Sequence, residues 1–324
     1  TAYGDISDRM DVTRGRCPSP VSICSLTSEA SPLPRMQRLQ VLLPVPPPQA
    51  MKAKIPFLSL SSRVSLNALV LTSFLPFCSP VTAQPSSIDP WTMRDMMGRG
   101  VNMKCSLDGT YGWWDAFNVA IPQKIAATGF TSVRVWAAFE ASKDIGPAPD
   151  YTLRSGNLAA LDAIVDGCLA QNLVVLLNLT QRDSGINNAD AVAKAKFLKV
   201  WEQLAGRYAN RSPKLVFNIL NEPNGPLTTE ILNGWYADVT PIIRATNPTR
   251  ILLYNGGGYA NAATLKDMVV PASAGAYYMG NCHIYPPMSF THGGTMQWVG
   301  SDEQKATPLA RIRDAEDWVQ RTGK

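Results

Sequence analysis

The chain has 324 residues with 30 Lys and Arg against 25 Asp and Glu, a formal charge of +5. Residues 1–83 carry 8 of those basic and 4 of those acidic residues, so the remaining 241 positions are close to neutral and lack the basic stripe of a nucleic-acid binder. Of the six cysteines three fall in residues 1–83, and the other three, Cys105, Cys168 and Cys282, are widely separated; no pair has metal-ligand spacing, so neither a zinc site nor a disulfide framework is expected, and no cofactor is implied.

Residues 1–50 are loop-like in composition, with Pro44, Pro46, Pro47 and Pro48 close together and no sustained helix or strand period, so they are expected to be a leader outside the fold. Residues 51–83 have the layout of a secretory signal. Met51, Lys52, Lys54 and Arg63 form a basic start, 64–77 an apolar stretch, and Val81-Thr82-Ala83 a small-residue cleavage site. The apolar stretch is shorter than the roughly 20 residues a membrane span needs. Export as a secreted protein without a stable membrane anchor is therefore the expectation.

From Gly98 onward, apolar runs alternate with helix-length amphipathic segments. Strands are expected at 100–103, 131–136, 173–179, 215–220, 250–254 and 276–279, and helices at 114–128, 157–171, 188–208, 228–246, 260–269 and 301–321. Val192, Phe197, Val200, Trp201, Leu204 and Tyr208 recur at the spacing of a buried helical face. The strands are almost continuously apolar, as parallel strands covered on both sides are. Gly256-Gly257-Gly258 lacks the full dinucleotide pattern and reads as a tight loop. Asn102, Trp136, Thr180, Asn221, Glu222, Asn255 and His283 fall at or just past strand C-terminal ends, the positions that converge on the mouth of a (β/α)₈ barrel. Six βα units can be counted, so the expected fold is an α/β (β/α)₈ TIM barrel with about six of its eight units, spanning 84–324.

Four pieces in order, Gly98-Arg99-Gly100-Val101-Asn102, Val133-Arg134-Val135, Asn221-Glu222-Pro223 and His283-Ile284-Tyr285-Pro286 with Trp298 beyond it, resemble glycoside hydrolase family 5, the cellulase-like retaining β-glycosidases. The resemblance covers roughly 91–324. It implies an endo-acting hydrolase of a β-linked polysaccharide, a monomer when its barrel is complete, with Glu222 as general acid/base. It also implies that Asn221 donates to the sugar 2-hydroxyl, that Arg134 steadies the attacking carboxylate, and that Tyr285 hydrogen-bonds that nucleophile while His283 contacts sugar or acid. Trp113, Trp114, Trp136 and Trp298 offer flat faces for stacking on pyranose rings. Many members carry His where this chain has Thr180. The nucleophilic Glu belongs at the end of a seventh strand, so it is expected beyond Lys324 and this stretch alone is expected to be inactive. The rival reading is a non-catalytic carbohydrate-binding barrel.

Overall fold

The computed structural model describes residues 87–103, 105–106, 115–181 and 184–324. The leader and signal segments, and Trp113 and Trp114, lie outside the described residues. Six parallel strands form one sheet in sequential order: β1 (Gly100–Met103), β2 (Ser132–Ala138), β3 (Val174–Thr180), β4 (Leu215–Asn218), β5 (Leu252–Tyr254) and β6 (Tyr278–Gly280). Among the described residues the sheet does not close on itself, and β1 and β6 are its two edges. The helices are α1 (Pro90–Met97), α2 (Ala120–Ala127), α3 (Ser155–Ala170), α4 (Ala191–Tyr208), α5 (Thr229–Thr246) and α6 (Asp302–Thr322).

Strand pairing explains why one sequence gives two different sheet faces. Side chains alternate across a strand, and the register sets Asn102 beside Arg134, Trp136 beside Asn178, Asn178 beside Asn218, and Asn218 beside Leu253. The opposite face carries Val133, Val135, Val175, Leu177, Leu215, Phe217 and Tyr254, all buried in the main core with the helices. Trp201 of α4 anchors that layer, its ring 5.2 Å from Phe217 and its Nε1 donating to the Ile219 carbonyl at 2.9 Å. On the first face, Val174, Val216, Ile251 and Leu253 pack around Met93 of α1, a fully buried side chain. Helix α1 starts because Asp89 accepts from the Trp91 and Thr92 amides, with Pro90 at the first helical position. This face is thus apolar toward the strand starts and amide-rich toward the strand ends.

Two helices differ from expectation. Asp115–Ala116 pairs in parallel with Cys105–Ser106, and α2 begins only at Ala120, where Asn118 Oδ1 accepts the Ala120 amide at 2.9 Å and Pro122 occupies the first turn. The helix expected at 260–269 is a four-residue turn, Gly257–Ala260, followed by a 3₁₀ segment, Ala262–Asp267. Gly258, Tyr259 and Ala260 all take left-handed φ (59°, 64° and 58°), which a continuous α-helix cannot include. The preceding glycines are required by close approach: a Cβ on Gly256 would meet Thr264 Oγ1 at 2.2 Å.

Helix α3 is joined on the surface to α4 and to the turn just after it by two bidentate pairs with the same sequence offset, Arg207 with Asp162 and Arg211 with Asp166. At the far side of α6, Trp318 is buried against Gly280, where an added Cβ would meet its ring at 2.7 Å. Beneath the sheet, Arg250 is buried without a carboxylate. Its guanidinium donates to Asn247 Oδ1 and to the carbonyls of Tyr208, Arg211, Ser212 and Leu215, and lies 4.9 Å from the Phe217 ring centroid. Burial, and then the charge of Arg244, lower its pKa to about 10. This planar fork ties the end of α4 to the start of β4, geometry that a lysine ammonium cannot reproduce. Arg250→Lys is expected to cost about 3 kcal/mol, from lost charged hydrogen bonds and unsatisfied carbonyls, read by urea unfolding.

Candidate active site

Glu222 follows the end of β4, and the segment after β6 brings two side chains to its carboxylate. His283, three residues past β6, brings Nδ1 to 2.6 Å from Glu222 Oε1, and the Tyr285 hydroxyl donates to the same oxygen at 3.2 Å. His283 is set in place by its backbone amide, which donates to the Ala260 carbonyl at 2.8 Å. The left-handed run through Ala260 is therefore what turns that carbonyl toward the site.

Arg134 stands behind the imidazole. Its Nη2 donates to Asn178 Oδ1 at 3.1 Å and to Asn221 Oδ1, and lies 3.2 Å from His283 Nε2, while Nη1 reaches Asn102 Oδ1 at 3.5 Å. A guanidinium has donors only, so His283 Nε2 must accept, which leaves Nδ1 carrying the proton toward Glu222. Asn178 Nδ2 also donates to Asn221 Oδ1, at 3.3 Å. Two strands, β2 and β3, thus fix Asn221 and the imidazole before any substrate enters.

The electrostatic balance at Glu222 has opposed parts. Burial pushes its pKa up, but hydrogen bonds from His283 and Tyr285 and the Arg134 charge outweigh it, so the carboxyl is held below its ordinary value. The Tyr285 hydroxyl is correspondingly pushed up, by burial first and then by the neighbouring carboxylate. Burial lowers the Arg134 pKa, partly offset by Glu222.

Glu222, Tyr259, Asn261, His283, Tyr285 and Arg311 are among the walls of a cavity of about 470 Å³. Among the described residues lining it, Glu222 is the only carboxylate. Glu140 and Asp144 serve the loop after β2 instead: Asp144 Oδ2 accepts the Glu140 amide at 2.8 Å, and Glu140 accepts from Ser142 and Lys143. No group of three or more metal-ligating side chains occurs among the described residues.

Five of the residues singled out from sequence, Arg134, Asn221, Glu222, His283 and Tyr285, therefore come together. Among the described residues Tyr285 donates to Glu222, and Arg134 contacts amides and the imidazole. Trp298 is part-exposed, its ring 5.7 Å from Phe290, and is not in the cavity wall. Trp136 lies beside Arg134, with the guanidinium 6.0 Å from its ring centroid. His292 packs edge-on against Tyr285 at 4.9 Å and lines the cavity. Sequence reasoning passed over Asn178, Gln181, Tyr259 and Arg311. Asn178 carried the same signal as Arg134, a polar residue inside an apolar strand.

The cellulase family, glycosyl hydrolase family 5, matches residues 96–324. The chain belongs to that family. It is 30% identical to endoglucanase H of Acetivibrio thermocellus over 245 residues, 75% of this chain and 27% of that protein. It is 27% identical to endoglucanase B of Clostridium cellulovorans, over 64% of this chain and 52% of that one. The family 5 chain thus spans between about a quarter and a half of these curated relatives. Endoglucanase Cel5A of Thermotoga maritima shares the fold, with a TM-score of 0.65 at 24% identity over 73% of this chain and 79% of that one. Cellulose synthase subunit Z of Clostridioides difficile gives 0.62 at 26% identity over 70% and 78%. These neighbours are consistent with β1 to β6 as six successive strands of a (β/α)₈ barrel.

Because the folded pKa of Glu222 lies below its unfolded value, the carboxylate contributes stability above about pH 4.3, and that contribution is lost as pH falls through the folded value. Thermal melts of Glu222→Gln are expected to show a shallower loss of Tm below pH 4.3 than those of the parent chain.

Proposed function

We propose that this chain supplies the general acid/base and the sugar-orienting residues of a secreted, retaining endo-β-glycosidase that cleaves a β-linked polysaccharide, of which β-1,4-glucan is the first to try. The observation that carries the reading is the Glu222 carboxyl, opening on the cavity with His283 and Tyr285 bound to one of its oxygens. Family membership supports hydrolysis of glycosidic bonds. Endoglucanases among the relatives, and a structural neighbour in complex with cellobiose and with mannotriose, support a glucan or mannan substrate. The layout of residues 51–83 supports export.

In the proposed cycle Glu222 protonates the departing glycosidic oxygen, and a second carboxylate roughly 5 Å away attacks the anomeric carbon; Glu222 then takes a proton from the water that releases the sugar. We assign that second carboxylate to residues outside the described ones, on an element pairing with a free edge of the sheet. Its charge would serve twice. A like charge raises the pKa of its neighbour, so it would move Glu222 from the ionised state favoured here toward the protonated state an acid needs. Asn221, with its carbonyl oxygen taken by Arg134 and Asn178, presents its amide hydrogens to a sugar hydroxyl.

The 324-residue chain alone is expected to bind cellotetraose without releasing reducing sugar, and to gain turnover when joined to two further βα units carrying a strand-end Glu. In that active form, Glu222→Gln should lower turnover of cello-oligosaccharides by about 10³-fold while sparing activated aryl cellobiosides much more. Equal losses on both substrates would count against an acid role. Sugar release by the 324-residue chain that disappears in Glu222→Gln would put the nucleophile within it, among Asp108, Asp115, Glu140 and Asp144.

A further inference from the structure

We infer that Gln181 is a positioning residue for Glu222: its side-chain amide grips the Glu222 peptide on both sides and so aims the carboxyl at His283, Tyr285 and the cavity. The inference rests on the reading of Glu222 as the acid/base. Backbone pairing between β3 and β4 runs through Asn178 and Asn218, with a last rung from the Asn221 amide to the Leu179 carbonyl at 2.8 Å. Beyond that rung, the side chain of Gln181 takes over. Its Oε1 accepts the Glu222 amide at 3.2 Å and its Nε2 donates to the Glu222 carbonyl at 2.5 Å.

The amide group thus imitates one further rung of the sheet at the residue that does the chemistry. Several features make the grip a held one. Gln181 is 7% exposed, and its own carbonyl receives the Ser184 hydroxyl at 2.7 Å and the Ser184 amide at 3.3 Å. Asn224 Nδ2 adds a second donor to the Glu222 carbonyl at 2.9 Å, and Pro223 biases Glu222 toward extended backbone. Residue identity is informative because the task needs a donor and an acceptor at one reach. Asparagine is a methylene too short, ionised glutamate has no donor, and methionine has neither strong donor nor strong acceptor. Catalytic groups must be held to within about 0.5 Å of productive geometry. The contacts from His283 and Tyr285 to a single Glu222 oxygen are directional, so backbone drift at residue 222 would weaken both together.

The plain alternative is that Gln181 only satisfies buried backbone groups and its loss would lower stability without moving the carboxyl. Carbon-13 titration of the Glu222 carboxyl, assigned by difference from Glu222→Gln, separates the two. In Gln181→Met and Gln181→Asn the midpoint should rise by about one pH unit as the His283 and Tyr285 contacts loosen. Thr240→Val, which removes buried hydrogen bonds to Tyr236 and Tyr254, should lower the melting temperature and leave that midpoint unmoved. An unmoved midpoint in folded Gln181→Met overturns the positioning role, and if that variant does not fold the asparagine variant decides in the same way. Cellotetraose titration of the parent chain tests the functional reading separately: absence of binding would sink that reading while leaving the Gln181 result to stand on the carboxyl titration.

Discussion

The geometry of the candidate site depends on one half-buried cation, Arg134, whose nitrogens can only donate. Arg134 faces Asn102, Asn178, Asn221 and His283, and each must answer it with an acceptor. That single requirement turns the Asn221 carbonyl oxygen inward and its amide hydrogens away. It also selects the imidazole tautomer with hydrogen on Nδ1, which in turn gives Glu222 a donor. Polarity thus passes from the inner face of β2 to the end of β4 through two intermediaries. Removing the guanidinium would free both the amide and the imidazole to rotate or change tautomer.

The sheet makes such a cation tolerable where it is. Met93, Val174, Val216, Ile251 and Leu253 pack together on the inner face, and the polar residues of the site, Arg134, Asn178 and Asn221, lie farther along the strands toward the ends where the cavity opens. Parallel pairing keeps all those ends on one side. Backbone geometry outside the strands completes the arrangement, since the left-handed residues after β5 direct a carbonyl to His283.

Much of the architecture was legible because apolar runs and helical spacing are local signals. The buried face of α4 could be read from Phe197, Val200, Trp201, Leu204 and Tyr208, all of which are buried, whereas Val192, expected on the same face, lies in the helix's first turn and is exposed. Elements failed to match where hydrogen bonding by one or two residues outweighed the apolar pattern. Asn118 and Pro122 delayed α2, and the left-handed run from Gly258 to Ala260 broke a segment whose composition suits a helix. In the site, residues announced by an unusual type in an apolar strand or by a strand-end motif could be named in advance. Gln181 could not, because its hydrogen bonds go to the backbone of a residue 41 positions away and depend on the direction of a side chain. Tyr259 was hidden for a similar reason, since its place in the cavity wall comes from a backbone angle.

The two arginine–aspartate pairs between α3 and the end of α4 carry a further consequence. Both lie at the surface, where each pair adds little to stability. Their shared offset of 45 residues nevertheless makes them a two-tooth rack. Both aspartates ride on α3, so a slide of that helix by a single turn, about 5.4 Å, could at most set one aspartate against one arginine and would strand the other two. A lone pair would report only that the helices touch, whereas two in step discriminate between neighbouring registers. Since α3 leads into β3 and α4 into β4, the two pairs tie together the segments that precede the strands bearing Asn178 and Asn218.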